Sequence, residues 1–110
     1  MNTLTNESRE NCGAADSRAL AAKLAALSHP ARIEILRHLS ARRSCCCGEV
    51  VQRLDLAQST VSQHLKILVE AGLVRFAADR QRSRYEADRE ALAAVSAAVA
   101  ALVDSCCFGG

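Results

Sequence analysis

Apolar residues recur every three or four positions along most of the chain, which is the spacing of one face of an α-helix. Leu20, Leu24 and Leu27 form the first such face, on a helix that we expect to be capped near residues 16–17. Pro30 separates this helix from the next, where it suits the first turn. The pattern and its stop signals predict five helices: residues 16–27, 30–39, 48–54, 58–71 and 89–105, the last capped by Asp88.

Between the fourth and fifth helices the pattern shortens to that of two strands. Leu73–Ala78 and Ser83–Ala87 flank a polar turn, Asp79-Arg80-Gln81-Arg82, which predicts a hairpin although the turn lacks glycine. The predicted fold is therefore mainly α with a small β-hairpin. We expect residues 1–15 to be a flexible arm and residues 16–110 to be one domain.

The last predicted helix carries a seam of larger apolar residues. They alternate in spacing between three and four positions, which is typical of helices that pair with another helix: Leu92, Val95, Val99, Leu102 and Cys106. The alanines between them leave little bulk, so a partner helix could approach closely. The sequence therefore predicts a homodimer that forms through its terminal helices.

The third and fourth helices are separated by three residues and have the pattern of a helix-turn-helix. Val61, Leu65 and Leu68 are expected to be buried, and the opposite face of the fourth helix is polar. Such side chains can bond base edges or phosphates, and the candidate DNA contacts are Gln58, Ser59, Thr60, Ser62, Gln63 and Lys66. His64 is expected either to contact a phosphate or to face water.

The predicted hairpin carries three further positive charges. Arg80, Arg82 and Arg84 fall within five residues, so the tip of a wing would present them to a DNA backbone or minor groove. The alternative is a solvated arginine-rich turn. The helix-turn-helix directly before the hairpin favours the wing, which makes the predicted fold a winged helix-turn-helix that binds double-stranded operator DNA.

Composition and charge set wider limits. The net charge of +2 in 110 residues permits nucleic-acid binding without demonstrating it. The polar start, MNTLTNESRENC, has no signal-peptide core, and we expect no segment to approach the ~18 apolar residues that span a bilayer. The sequence therefore predicts a cytoplasmic protein that does not interact with membranes.

The chain has six cysteines, and their spacing argues against a disulfide scaffold. Cys45, Cys46 and Cys47 are consecutive and Cys106 and Cys107 are adjacent, so neighbouring residues cannot brace separate loops. Single cysteines are often small apolar core residues, but two clusters favour binding of a thiophilic ligand.

Three segments together resemble the ArsR/SmtB family of metalloregulatory repressors: ALSHPARIEILRHL, CCCGEVVQRLDLAQSTVSQHLKILVEAGLV and the arginine-bearing hairpin. The resemblance covers about residues 18 to 107. It implies a dimeric winged-helix repressor that is not an enzyme, with its terminal helices paired across the dimer axis. It also implies release from DNA when an inducer binds, without identifying the inducer.

The cysteines match that family in two different ways. Arsenic sensors of the family often carry Cys-x-Cys at the start of the third helix, where this chain has Cys46 and Gly48, so that pair is half present. A subgroup that binds trivalent arsenic closes its last helix with a vicinal pair, which Cys106-Cys107 resembles. The downstream third thiol of that subgroup is missing, so a third ligand would be Cys45, Cys46, Cys47 or Cys12.

These thiols predict an inducer rather than an organic cofactor. Trivalent arsenic, methylarsenite and trivalent antimony all suit soft thiolate ligands. Zinc is less favoured, because the three histidines, His29, His38 and His64, are not paired at ligand spacing. A helix N-terminus favours thiolates at Cys46 and Cys47, whereas the resemblance favours the pair at the chain end, to which we give more weight.

Three other functions remain as alternatives, of which the simplest is a DNA-binding dimer that responds to no inducer. Another is a redox- or persulfide-sensing repressor of the same fold, which would form a disulfide or polysulfide link. Family members that resemble such sensors carry a cysteine where this chain has Arg37, which counts against this function. An oxyanion enzyme is suggested more weakly by the C-x5-R spacing of Cys47 and Arg53. The intervening GEVVQ favours a helix, which could not turn successive amides towards an anion.

Overall fold

The computed structural model describes residues 16–42, 44–79 and 82–108, with the side chains of residues 79, 82 and 108 left out of the description. The predicted arm over residues 1–15, and Cys12 within it, lie outside the described residues. The described part forms five helices and three strands: α1 (residues 16–27), α2 (Pro30–Ser40), β1 (Cys45–Cys46), α3 (Cys47–Leu54), α4 (Gln58–Glu70), β2 (Val74–Asp79), β3 (Arg82–Ala87) and α5 (Arg89–Phe108).

The predicted helix order and the hairpin are confirmed, with small shifts at the element ends. Asp16 and Ser17 are already helical, α3 begins one residue before Gly48, and α5 continues past Ser105. Helix ends are the least determined part of a periodicity pattern, because polar end residues carry no apolar spacing. The extension of α5 places both terminal cysteines inside the helix.

The sheet has one strand more than the two predicted. β3 lies in the centre, paired antiparallel with β2 on one side and with β1 on the other. In β1, Cys45 pairs with Tyr85 and Cys46 with Arg84. Two residues are too few to show the alternating pattern of a strand, so this strand has no signal in the sequence. Its pairing fixes Cys45 and Cys46 to the middle of β3.

The core fills the space between α2, α3, α4 and the sheet, and α1 and α5 contribute one residue each. The predicted inward faces are confirmed, since α4 buries its three expected residues and α2 buries Ile35 and Leu39 completely. The buried apolar residues are Ala26, Ile35, Leu36, Leu39, Cys45, Val50, Val61, Leu65, Leu68, Leu73, Val74, Ala87 and Val95. Apolar side chains of α2, α3 and β2 thus pack against α4 and hold it in place.

Two left-handed residues shape the ends of the helix-turn-helix. Asp55 has φ 55° where α3 ends, and Gly72 has φ 82° just after α4. Asp tolerates this conformation better than most residues with a side chain, and glycine adopts it without strain. The Nζ of Lys23 on α1 donates to the carbonyl oxygen of Ala71 at 3.1 Å, so a side chain of α1 caps the C-terminal end of α4.

The predicted cap of α5 is confirmed, and it supports a test of stability. The Asp88 carboxylate accepts the backbone N–H of Ala91 at 3.0 Å. We expect Asp88→Ala to lower the free energy of unfolding by about 1 kcal/mol, because a donor at the helix start loses its partner. Urea unfolding at fixed protein concentration measures this change. Asp88→Asn keeps an acceptor and should lose much less; equal losses would assign the effect to charge instead.

One feature of α5 contradicts a prediction. Arg89–Cys107 is long and apolar enough to cross a membrane by length and composition, with a mean hydropathy of 1.6, whereas we expected no such segment. The prediction missed it because alanines and cysteines, rather than large side chains, supply much of the hydropathy. Leu102 and Val103 are about half exposed. The helix therefore has an apolar surface that the other described residues leave uncovered.

Candidate nucleic-acid interface and thiol clusters

The polar face of α4 is exposed. The structure leaves each of the non-histidine candidates on this helix open to solvent: Gln58, Ser59, Thr60, Ser62, Gln63 and Lys66. The opposite face is buried in the core, so the helix is held by its inner side and presents hydrogen-bonding groups on its outer side. Such an arrangement can enter a DNA major groove without any loss of core contacts.

The wing is less open than expected. Arg84 is half-buried, and its Nη1 donates to the Ser44 Oγ at 3.0 Å, across from the segment before β1. Arg75 and Glu86 face each other across β2 and β3, with a 3.5 Å ion pair. Arg80 and the side chain of Arg82 lie outside the described residues. Ser44 was not among the predicted site residues, because its contact depends on the unpredicted strand.

His64 is partly buried and contacts two other side chains. Its Nδ1 accepts a hydrogen bond from the Arg32 Nε at 3.2 Å, and its ring lies 4.5 Å from that of His29, centroid to centroid. Burial lowers the pKa of His64, and the nearby His29 and Arg32 lower it further. Arg32 was missed by sequence reasoning because a polar residue in the first turn of α2 carries no spacing signal.

The first cysteine cluster divides between core and surface. Cys45 is fully buried, and burial, followed by the Glu49 carboxylate, raises the pKa of its thiol. Cys46 precedes α3, and its N–H donates to the Glu49 Oε1 at 3.1 Å. The Cys47 Sγ lies 3.5 Å from the Oγ of Ser62 on α4. Cys47 thus contacts the polar face of the helix-turn-helix directly.

The C-x5-R motif does not form an oxyanion loop. Cys47 and Arg53 belong to the same helix, α3, which places their backbone positions about 9 Å apart along its axis. Arg53 lines a separate groove against α2, together with Arg37 and His38. A helical segment directs its amide groups along its axis, so these residues do not form an anion cradle.

The second cysteine pair is exposed at the end of α5. Cys106 and Cys107 are both free and open to solvent. Consecutive helical residues point about 100° apart, so Cys106 continues the apolar seam and Cys107 turns away from it. Beside them α1 and α5 form an apolar groove of about 730 Å³, whose lining includes Asp16 at one end of α1 and Ser105 near the end of α5.

Within the described ranges no three cysteine, histidine or acidic side chains come together as a metal-binding group. The two exposed thiols of α5 fit a thiophilic ligand by their chemistry, and a third ligand would have to come from another segment or another chain. A two-thiol site suits a metalloid with two exchangeable positions.

Comparison with known proteins identifies the fold and its relatives. Residues 27–75 match a family model described as a helix-turn-helix domain. The chain is 37% identical over 83 residues to the HTH-type transcriptional regulator YgaV of Escherichia coli, covering 76% of this chain and 84% of that protein. It is 35% identical over 69 residues to the arsenical resistance operon repressor of Staphylococcus xylosus, covering 63% and 65% of the two chains.

Solved structures agree with these relatives. An ArsR-like transcriptional regulator from Rhodococcus sp. RHA1 superimposes with a TM-score of 0.75 at 25% identity, over 83% of this chain and 85% of that one. The homodimeric winged helix-turn-helix domain of Mb0332 from Mycobacterium bovis gives a TM-score of 0.69 at 24% identity, over 88% and 89%. The second likeness concerns the fold alone.

Proposed function

The chain belongs to the ArsR family of winged helix-turn-helix transcriptional regulators, and from that premise we propose that it is a homodimeric repressor induced by a trivalent metalloid. The observation that carries the proposal is the exposed vicinal pair Cys106-Cys107, at the end of an apolar helix that the other described residues leave largely uncovered. Its relatives are transcriptional regulators and not enzymes, so ligand binding rather than turnover is the chemistry to explain.

The homodimer is supported by the surface of α5 and α1. Leu24 and Leu102 remain 38% and 51% exposed, and both line the apolar groove between these helices. An exposed apolar surface of this kind is normally covered by a partner. A second copy of α5 would cover this surface with the same apolar seam, and the alanines between the seam residues would let the two helices approach closely. Such pairing would also account for a helix that is apolar over a membrane-spanning length. Two copies would present two α4 helices to successive half-sites.

The inducer is proposed from thiol chemistry. Cys106 and Cys107 supply two soft ligands, which suits methylarsenite, whereas inorganic arsenite or antimonite would take a third thiol. Asp16 and Ser105 line the same groove, and Cys12 precedes Asp16 by four residues, a reach of at most about 14 Å. Cys12 is therefore the third ligand we favour over Cys46 and Cys47. Cys45 is the least suitable, since its thiol is buried.

Induction would act through the dimer. Ser105 near the end of α5 and Asp16 at the start of α1 line the same groove. A metalloid bound at the adjacent thiols would therefore change how the two terminal helices pack on those of the partner. The separation of the two α4 helices depends on that packing. Half-sites one DNA turn apart accept little change in separation, so the proposed result is release of the operator.

The test is a release titration of the wild-type dimer on a duplex that it selects from random sequence. Arsenite, methylarsenite or antimonite should weaken binding by roughly 5- to 150-fold, the usual range of allosteric coupling. Cys106→Ser/Cys107→Ser should retain DNA affinity and lose this response. Cys46→Ser/Cys47→Ser removes the same number of thiols and is the matched control, and Cys12→Ser tests the third ligand.

Other outcomes would contradict the proposal in different ways. Release by polysulfide or peroxide without any metalloid would make the protein a redox sensor of the same fold. A metalloid response lost only in Cys46→Ser/Cys47→Ser would move the site to α3, where Cys47 contacts Ser62. An unchanged response in Cys12→Ser would remove Cys12 from the site while leaving the pair on α5 in place.

A further inference from the structure

Arg32 joins three helices through a single side chain. Its Nη1 donates to the carbonyl oxygens of Ala25 and Ala26, both at 3.3 Å, at the C-terminal end of α1. Its Nε donates to the Nδ1 of His64 on α4 at 3.2 Å, and Arg32 itself belongs to the first turn of α2. The planar guanidinium group can hold all three acceptors at once because its donors are fixed in one fork.

The same helix, α1, is attached to α4 a second time. Lys23 of α1 caps the last turn of α4 at Ala71, as described above, and lies about one turn before Ala26. α1 therefore meets α4 at its middle, through Arg32 and His64, and at its C-terminal end, through Lys23. α1 also lines the groove with α5, and Lys23 is among the lining residues. Any movement of α1 relative to the core has to strain or break these contacts.

We propose that Arg32 is a positioning residue for DNA recognition, which fixes the orientation of α4 against α1 through its hydrogen bond to His64. His64 then acts within the protein instead of contacting a DNA phosphate. The inference concerns DNA recognition itself and holds whichever ligand the cysteines bind. It also gives a contiguous contact between the α1–α5 layer and the helix that reads DNA.

The contact can exist in only one protonation state of His64. Arg32 Nε can only donate, so the Nδ1 of His64 must carry a lone pair. A proton on Nδ1 removes the acceptor and places a positive ring between the Arg32 guanidinium and His29, the two groups that act on His64 electrostatically. The pKa of His64 is lowered from 6.5, so the contact is complete above pH 6.5 and is lost as the pH falls through the lower folded value.

The two roles of His64 predict opposite pH profiles. If His64 contacted a phosphate, protonation would add a favourable charge and DNA would bind more tightly as the pH falls. If His64 positions α4, protonation breaks the link and DNA binds more weakly. DNA affinity measured between pH 8 and pH 5.5, in the wild type and in variants that lack one histidine, separates the two roles.

The experiment uses the full chain and a duplex that the wild-type protein selects from random sequence. We expect Arg32→Gln to weaken binding at pH 7.5 by about tenfold or more, the worth of a charge-assisted hydrogen bond. His64→Asn places an amide oxygen near the position of Nδ1 and does not titrate, so it should keep most of the affinity and flatten the pH profile. His38→Gln is the control: burial lowers the pKa of His38 as well, but His38 is not part of this contact. The variant should leave the pH profile of DNA binding unchanged.

A second measurement needs no DNA and guards against loss of folding in Arg32→Gln. Imidazole NMR signals of His64 should titrate at a higher pH in Arg32→Gln than in the wild type, since Arg32 lowers the pKa of His64. The proposal would be overturned if the wild type bound DNA more tightly at low pH, or if His64→Asn kept the pH profile of the wild type. It would also be overturned if His64 titrated at the same pH in a folded Arg32→Gln as in the wild type.

Discussion

Leu102→Glu should abolish dimerisation and weaken DNA binding by about 10²-fold or more, the factor that linked binding modules gain over single ones. Leu102 is 51% exposed on α5 and lines the groove with α1. In the proposed dimer the new carboxylate would be buried against a second apolar helix, where no positive charge or hydrogen-bond donor would compensate it. Sedimentation at several concentrations measures the assembly, and DNA titration measures the affinity.

A matched variant separates the seam from the helix itself. Ala100→Glu introduces the same charge two residues away, about 200° around the helix, at another exposed position. It should leave both assembly and affinity near the wild-type values. Dissociation by both variants would show a general effect of charge on α5, and dimers that persist in Leu102→Glu would place the dimer contact elsewhere.

The sequence predicted the helices and the helix-turn-helix because these are carried by local spacing. Val61, Leu65 and Leu68 recur at helical positions in the sequence, and all three are buried in the structure. Asp88 was recognised as a cap by its residue type and place, and it accepts the expected hydrogen bond. Local rules suffice where the stabilising partner lies within a turn or two of the residue itself.

Features that depend on distant partners could not be read from the sequence. β1 exists only because Cys45 and Cys46 pair with Tyr85 and Arg84, some forty residues away along the chain. The link between Arg32 and His64 spans 32 positions and depends on how α2 crosses α4. Neither contact produces a regular spacing of residue types that could be recognised in the sequence.

The same contrast between local spacing and distant contacts applies to the two cysteine clusters. Cys106 continues the apolar spacing of α5, which is visible in the sequence, and in the structure it is helical and exposed. The burial of Cys45 follows from a strand pairing that nothing in CCC signals. Of three consecutive thiols, therefore, one is a core residue and one contacts the helix-turn-helix through Ser62.

Leu65→Ala should lower the free energy of unfolding by about 2–5 kcal/mol, the usual range for a fully buried leucine whose removal leaves a cavity. Leu65 is completely buried on the inner face of α4, so its loss loosens the helix that presents the DNA contacts. A domain of this size is stable by only about 5–15 kcal/mol, so this loss would remove a substantial part of its stability. Ile67→Ala is the matched control in the same helix, since Ile67 is 36% exposed and should lose clearly less. Urea unfolding of both variants at equal protein concentration, which dimer linkage requires, measures the difference. Equal losses would mean that the inner and outer faces of α4 are not distinguished as the structure has them.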